Sequence, residues 1–264
     1  MIDNPRSPRV RAVAKLAKRR AREETGFFLV EGPQALREAL TFRPELLVEV
    51  FVVPAAFERH PELGRGLADA GIEPQFVTDA VLAAMADTVT PQGVVAVARQ
   101  APVSIESLLV GGARLVAILQ EVRDPGNAGT IIRPADAAGA DGVILTGKSV
   151  DAYNPKVVRS TTGSIFHTPI AQGAELEEAL ALVRAAGLRV LAADISGEEL
   201  PTLRAELPEP TAWLFGNEAH GLTAEQLALA DRAVRVPIYG HAESMNLATA
   251  ASVCLYQSAF AQRG

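Results

Sequence analysis

The sequence predicts an α/β protein in two parts, a smaller N-terminal domain followed by a larger one built on a parallel sheet. Three observations carry that expectation. In the second half, short continuous apolar runs such as Leu115-Val-Ala-Ile-Leu, Gly142-Val-Ile-Leu-Thr and Ala212-Trp-Leu-Phe alternate with helical patterns, as parallel strands covered on both faces by helices do. The first half alternates strands and helices over a shorter span. Between them, residues 101–113 contain Pro102 and the pair Gly111-Gly112, punctuation that marks a connection. The expected organisation is a basic extension (1–25), a compact α/β domain (26–100), a linker (101–113) with one helical turn around Ser107, and a second domain (114–264).

In the first domain, Glu31 to Ala39 carries a helical pattern and Val48-Glu-Val-Phe-Val-Val a strand. Pro61 to Ala70 is a helix stopped by Gly71, and Gln75-Phe-Val is a short strand. Asp79 is placed to cap a helix over Ala80–Ala86, before the strand Gly93-Val-Val-Ala-Val-Ala. In the second domain, strands begin at Leu115, Gly142, Arg189, Ala212 and Ala233. Helices are expected over Asn127–Ala138, Pro155–Ser160, Glu175–Ala186 and Ala224–Ala230, with a last one from Met245 to Ala261. Ser244 is placed to open that last helix. Asn246 is then awkward, because asparagine favours caps over helix interiors.

Composition bounds the function classes. Hydrophobic residues make up 48% and charged residues 21%, values of a globular protein. No apolar run reaches membrane-spanning length, and the chain's start lacks an apolar signal core, so a cytoplasmic enzyme or binding protein is expected. The single cysteine, Cys254, excludes an intrachain disulfide and a cysteine metal cluster, and its apolar neighbours predict a buried thiol. His220 and His241 have no carboxylate or cysteine spacing that would make a metal site; no metal is expected.

Charge is uneven. Residues 1–24 carry eight basic and three acidic side chains, a formal +5 in a chain of total −6, which leaves −11 on the remainder. Arg11, Lys15, Lys18 and Arg22 recur at helical spacing and would stack into one stripe. Val10, Val13, Ala14, Ala17 and Ala21 form a neighbouring stripe that would dock the helix. The basic stripe suits sequence-blind phosphate contacts, or it is an ordinary solvated terminus.

Three loops at strand ends bear polar groups, and in parallel α/β sheets ligands bind at the carboxyl ends of strands. The first runs from Gln120 through Asp124-Pro-Gly, with Asn127 placed to cap the following helix, to Arg133. The second is Leu214-Phe-Gly-Asn-Glu-Ala-His-Gly221, where Gly216 permits close backbone approach. The third is Val236-Pro-Ile-Tyr-Gly-His-Ala-Glu-Ser-Met-Asn246. Neither the glycine pattern of dinucleotide-binding folds nor a phosphate-loop lysine motif is present.

In order and spacing these three segments resemble the sequence motifs of the SpoU/TrmH family of RNA ribose 2′-O-methyltransferases. Asn154 to Phe166 is similar to that family's middle segment. Phe28-Leu-Val-Glu-Gly and Gln92-Gly-Val-Val-Ala resemble its ribosomal-protein-like substrate-binding domain. The resemblance implies a SPOUT-type parallel sheet with a trefoil knot, S-adenosylmethionine as methyl donor, and a homodimer joined through the C-terminal domain. It makes Arg133 the catalytic arginine, with Asn127, Glu218, Ser244 and Asn246 orienting it and the ribose. Main-chain groups at Leu214, Gly216, Val236, Ile238 and Met245 would cradle the cofactor. The substrate it implies is structured RNA, with large-subunit ribosomal RNA first and transfer RNA as the alternative. A non-catalytic RNA-binding protein that keeps the fold, or a methyltransferase for a small molecule or protein, are the competing readings.

Two residues depart from the family's pattern. Met245 replaces the usual leucine, and Pro134 follows Arg133 where a small residue is usual. Proline inside a helix removes an amide and favours a kink, so a bend is expected at Arg133.

Overall fold

The computed structural model describes residues 1–264 throughout. The chain forms two compact units. One comprises Met1–Ala101 together with Tyr153–His167, and the other Pro102–Ala152 with Thr168–Gly264.

The first unit begins with two helices, α1 (Pro8–Lys15) and α2 (Arg19–Thr25), followed by β1 (Phe27–Glu31), α3 (Pro33–Phe42), β2 (Leu47–Val52), α4 (Pro54–Arg59), α5 (Pro61–Asp69), β3 (Gln75–Phe76), α6 (Asp79–Met85) and β4 (Val94–Arg99). Its four strands lie in the order β1-β4-β2-β3, antiparallel except for β2 and β3. Two expectations shift here. Phe27–Glu31 is a strand, so the helix starts at Pro33 rather than Glu31. Thr78, not Asp79, caps α6, because its hydroxyl accepts from the Val81 amide.

Nor is the N-terminal segment an appendage. Ile2 pairs with the β3 edge through its amide to the Phe76 carbonyl at 2.8 Å and its carbonyl to the Thr78 amide at 3.1 Å. Val10, Val13 and Leu16 are buried, and α1 packs on α6. The single basic stripe is not formed. The helix breaks after Leu16, with Lys18 in extended conformation as the cap of α2. Arg22 turns inward instead of joining Arg11, Lys15 and Lys18 at the surface. It is 1% exposed, and its Nη1 donates to the Leu16 and Ala17 carbonyls, both at 2.9 Å. Those are carbonyls left without helical partners at the break, and a buried guanidinium satisfies them while its charge faces the negative end of α1.

The second unit contains α7 (Ile105–Leu109), β5 (Leu115–Gln120), α8 (Pro125–Ala137), β6 (Gly142–Thr146), then β7 (Ile170–Ala174), α10 (Leu176–Ala185), β8 (Arg189–Glu199), β9 (Thr211–Phe215), α11 (Ala224–Ala228), β10 (Arg232–Arg235) and α12 (Leu247–Arg263). The excursion between β6 and β7 carries α9 (Pro155–Thr161), which belongs to the first unit. Residues 102–113 carry α7, the helical turn expected around Ser107. Ile105, Leu108 and Leu109 enter the core beneath the sheet alongside Leu176, Leu180 and Val183 of α10.

All six strands of this sheet are parallel, in the order β10-β8-β9-β5-β6-β7. Ile170–Ala174 was not foreseen as a strand. The chain leaving β5 runs to β6 on one side, and the chain leaving β9 runs to β10 on the other. The reversal falls at the β9–β5 pair, the place where open α/β sheets leave a crevice at their carboxyl ends. Trp213 and Phe215 on β9 are fully buried, and the Trp213 indole N–H donates to Ser258 of α12 at 2.9 Å. That bond pins the last helix to the strand beside the crevice.

Candidate active site

Three loops meet at the carboxyl ends of β5, β9 and β10. The first follows β5, and there Asp124 rather than Asn127 caps α8, its carboxylate accepting from the Asn127 amide at 2.8 Å. Asn127 lies in the first turn with its side chain free for other partners. The second follows β9. Gly216 has no room for a side chain, since a Cβ there would lie 2.5 Å from the Gly221 carbonyl carbon. Its close approach is thus to the chain's own backbone, which folds Asn217 onto Gly221 by paired amides. The Asn217 side chain donates to the Glu121 carbonyl at 2.8 Å, holding Glu121 in a left-handed conformation with φ 51°. That conformation is costly for a residue with a side chain, and the cross-loop bond offsets it.

Glu218 then reaches across to the first loop. Its carboxylate accepts from the amides of Arg123 at 3.1 Å and Asp124 at 3.0 Å, and from Asn127 Nδ2 at 3.4 Å. Asn127 Oδ1 accepts in turn from Asn246 Nδ2 at 3.1 Å. The sequence expectation at the last helix is corrected here. Asn246, not Ser244, caps α12, and its Oδ1 accepts from the amides of Ala248 at 2.9 Å and Thr249 at 3.3 Å. Asn246 is therefore not a misfit in a helix interior but the residue that starts it. Both amide orientations follow from the chemistry. Asn246 must present oxygen to two N–H groups, and Glu218 presents only acceptors, which leaves Asn127 donating to one side and accepting on the other.

Beside this junction lies a cavity of about 420 Å³, within the size range of small-molecule sites. Glu218, Ser244, Val236, Ile238 and Met245 all contribute to its wall. Leu214 and Gly216 do not line it. Leu214 is fully buried in the core under the sheet, and Gly216 faces the backbone of its own loop. Asp194 and Ile195 were missed by the sequence reading, although they form part of the opposite wall. Their position comes from an irregular strand pair. β10 pairs with β8 at Leu191 and Ala192 and again at Glu198 and Glu199, so residues 193–197 loop out between the two stretches. Gly197 makes that possible, because a Cβ there would lie 2.3 Å from the Ala233 carbonyl carbon. Nothing in the sequence periodicity announces such a bulge. Asp194 Oδ1 accepts from the amide and hydroxyl of Ser196 at 2.9 and 2.6 Å, leaving Oδ2 for a ligand.

Arg133 stands on the exposed side of α8 and makes no hydrogen bond or ion pair with any of these residues. α8 continues through Pro134 to Ala137. Proline deprives the Thr130 carbonyl of its helical donor, but Thr130 is exposed and water can serve it. Cys254 is buried in α12, and burial pushes its thiol up to about 12, too high for a nucleophile at neutral pH. No group of His, Cys, Asp and Glu is arranged to hold a metal ion, and no helix is long and apolar enough to cross a membrane.

Known proteins agree with this architecture along the whole chain. Residues 114–256 match the SpoU rRNA Methylase family, and residues 7–96 match the MRM3-like substrate binding domain. The chain is 32% identical to the 23S rRNA (guanosine(2553)-2′-O)-methyltransferase RlmP of Bacillus subtilis, over 97% of both chains. The AdoMet-bound rRNA methyltransferase of Sinorhizobium meliloti superposes with a TM-score of 0.82 at 30% identity, over 97% of this chain and 96% of that one. The SpoU methyltransferase AviRb of Streptomyces viridochromogenes, in complex with AdoMet, gives a TM-score of 0.80 at 28% identity, over 97% of this chain and 98% of that one. The three-loop junction therefore belongs to a methyltransferase, and the chain is a member of the SpoU rRNA methylase family.

Proposed function

We propose that this protein transfers a methyl group from S-adenosylmethionine to a ribose 2′-hydroxyl of large-subunit ribosomal RNA, in the cytoplasm. The observation that carries the reading is the bonded series Glu218–Asn127–Asn246, which fixes three loops around one cavity and leaves Arg133 free on the adjoining helix. The lining suits the cofactor. Val236, Ile238 and Met245 offer apolar contact for an adenosine, while Asp194 Oδ2 remains for its polar groups. S-adenosylmethionine supplies an electrophilic methyl on sulfur.

The residues' task is to place a weak nucleophile and stabilise it as its proton leaves. Arg133 remains protonated and is a poor base. Its guanidinium instead holds the target's phosphate or the developing alkoxide, the kind of preorganised charge that acts most strongly in a site shielded from water. Ser244, on the cavity wall, is placed to orient the ribose, with the bonded asparagines fixing the geometry. Arg11, Lys15 and Lys18, exposed on the first unit, supply sequence-blind phosphate contacts; Arg22, being buried, does not take part.

The same reading includes a homodimer through the C-terminal unit and a trefoil knot in that unit. Support for the dimer is the outer face of α12, where Phe260 is 64% exposed and pairs with Tyr256 at 5.5 Å between ring centroids. Mapping ribose 2′-O-methyls in total RNA from cells with and without the protein tests the function. One large-subunit position that loses its methyl supports the reading, and an unchanged map of ribosomal RNA refutes it.

A further inference from the structure

The first unit holds a second polar cavity, of about 340 Å³, at the start of α3. Its floor is an ion-paired cluster. Glu31, only 4% exposed at its side chain, accepts from Arg159 Nη1 at 2.8 Å and from the Thr88 amide at 3.1 Å. Arg159 Nη2 donates to Asp87 at 2.9 Å. Arg159, the one cation of the lining, is committed to Glu31 within it and to Asp87 outside it, so no free positive charge faces the cavity for a phosphate.

The rim is different in kind. Gln34, Thr90 and Gln92 line the opening, and none of their side chains has a hydrogen-bond partner. Gly32, at φ +90°, makes room for this arrangement, since a Cβ there would lie 3.0 Å from Gln92 Oε1. Two free amides and a hydroxyl, each able to donate and accept, match the edge of a neutral heterocycle. Sequence-specific RNA recognition works in that way, on unstacked bases read by hydrogen bonds along their edges.

We propose that this cleft takes one unstacked nucleobase of the RNA substrate, read by Gln34 and Gln92. The inference rests on the reading that the chain acts on RNA. It also gives a reason for the excursion between β6 and β7: α9 carries Arg159 and, just beyond it, Thr162, which complete the cleft wall.

The test uses the full chain and a protein-free transcript of large-subunit ribosomal RNA, with binding measured across a salt series. Gln34→Ala combined with Gln92→Ala removes exposed, unpartnered side chains, so the fold should hold. The expected result is RNA binding weakened about tenfold at every salt concentration, with the slope of log K against log salt unchanged and S-adenosylmethionine binding unaltered. Native-like affinity in the double variant would overturn the proposal. So would weakening with a shallower salt slope, which signals a lost phosphate contact. Failure of the native chain to bind the transcript would defeat the functional reading itself, and the cleft assignment with it.

Discussion

Arg22 and Arg133 both drew notice in the sequence as members of functional patterns, and the structure gives them opposite fates. Around Arg22, the helix break leaves backbone carbonyls in need of donors, and the guanidinium is consumed in serving them. On the helix that carries Arg133, Asn127 is consumed instead, donating to Glu218 and accepting from Asn246, while Glu218 also takes two backbone amides. The arginine itself is left without a partner. An arginine is structural where the fold offers it buried acceptors, and free for chemistry where the fold leaves it exposed with none.

The sharpest way to break this comparison is Arg133→Ala. It should lower methyl transfer about 10²- to 10³-fold, the scale of losing one preorganised charge at a reacting oxygen. Thermal stability and cofactor binding by calorimetry should stay close to native. A large fall in melting temperature would place Arg133 with Arg22.

The converse variant comes next. Arg22→Ala should destabilise folding by about 2–3 kcal/mol, because buried carbonyls lose a charged donor, whereas Lys15→Ala on the exposed face should cost less than about 0.5 kcal/mol. Denaturant melts of both variants check this, with RNA binding expected to weaken for Lys15→Ala through a reduced salt slope.

Asn246→Ala sits between the two cases. It removes the cap of a helix of 17 residues and one link of the loop junction together. Loss of about 1 kcal/mol in stability should accompany a larger fall in activity than the stability change explains. Asn246→Asp separates the roles: it keeps the cap acceptor but presents a carboxylate oxygen to Asn127 where an N–H stood, so stability should recover while activity does not.

The smallest effect concerns Cys254. With its thiol pushed up to about 12 by burial, alkylation at neutral pH should be negligible in the native protein and rapid only after unfolding, as mass spectrometry would record.

How far the sequence spoke follows physical lines. The strands of the second unit were legible because continuous apolar runs identify buried parallel strands whatever their partners. The three polar loops were legible as a set, since their residue types matched a known family's motifs. Cap positions were misjudged at Thr78, Asp124 and Asn246, each displaced by one to three residues from the expected site. Several side chains near a helix start can accept from its free amides, and only the backbone path selects among them. The Asp194 wall and the inward turn of Arg22 were illegible for a different reason. Both follow from local irregularities, a strand that loops out and a helix that breaks without glycine or proline, and neither leaves a periodic trace. Residues 153–167 lie inside the span that matches the SpoU rRNA Methylase family, where the resemblance put them, and they pack with the first unit, which no sequence pattern announces.

The central claim is that the site joined by Glu218, Asn127 and Asn246, acting with Arg133 of α8, methylates ribose. Its most direct test is nucleoside analysis of large-subunit ribosomal RNA incubated with the purified protein and S-adenosylmethionine carrying a labelled methyl. The account predicts label in a single 2′-O-methylated nucleoside, entering at least about a hundredfold more slowly with Arg133→Ala. Label on a base, or equal ribose methylation by the Arg133→Ala protein, would contradict it.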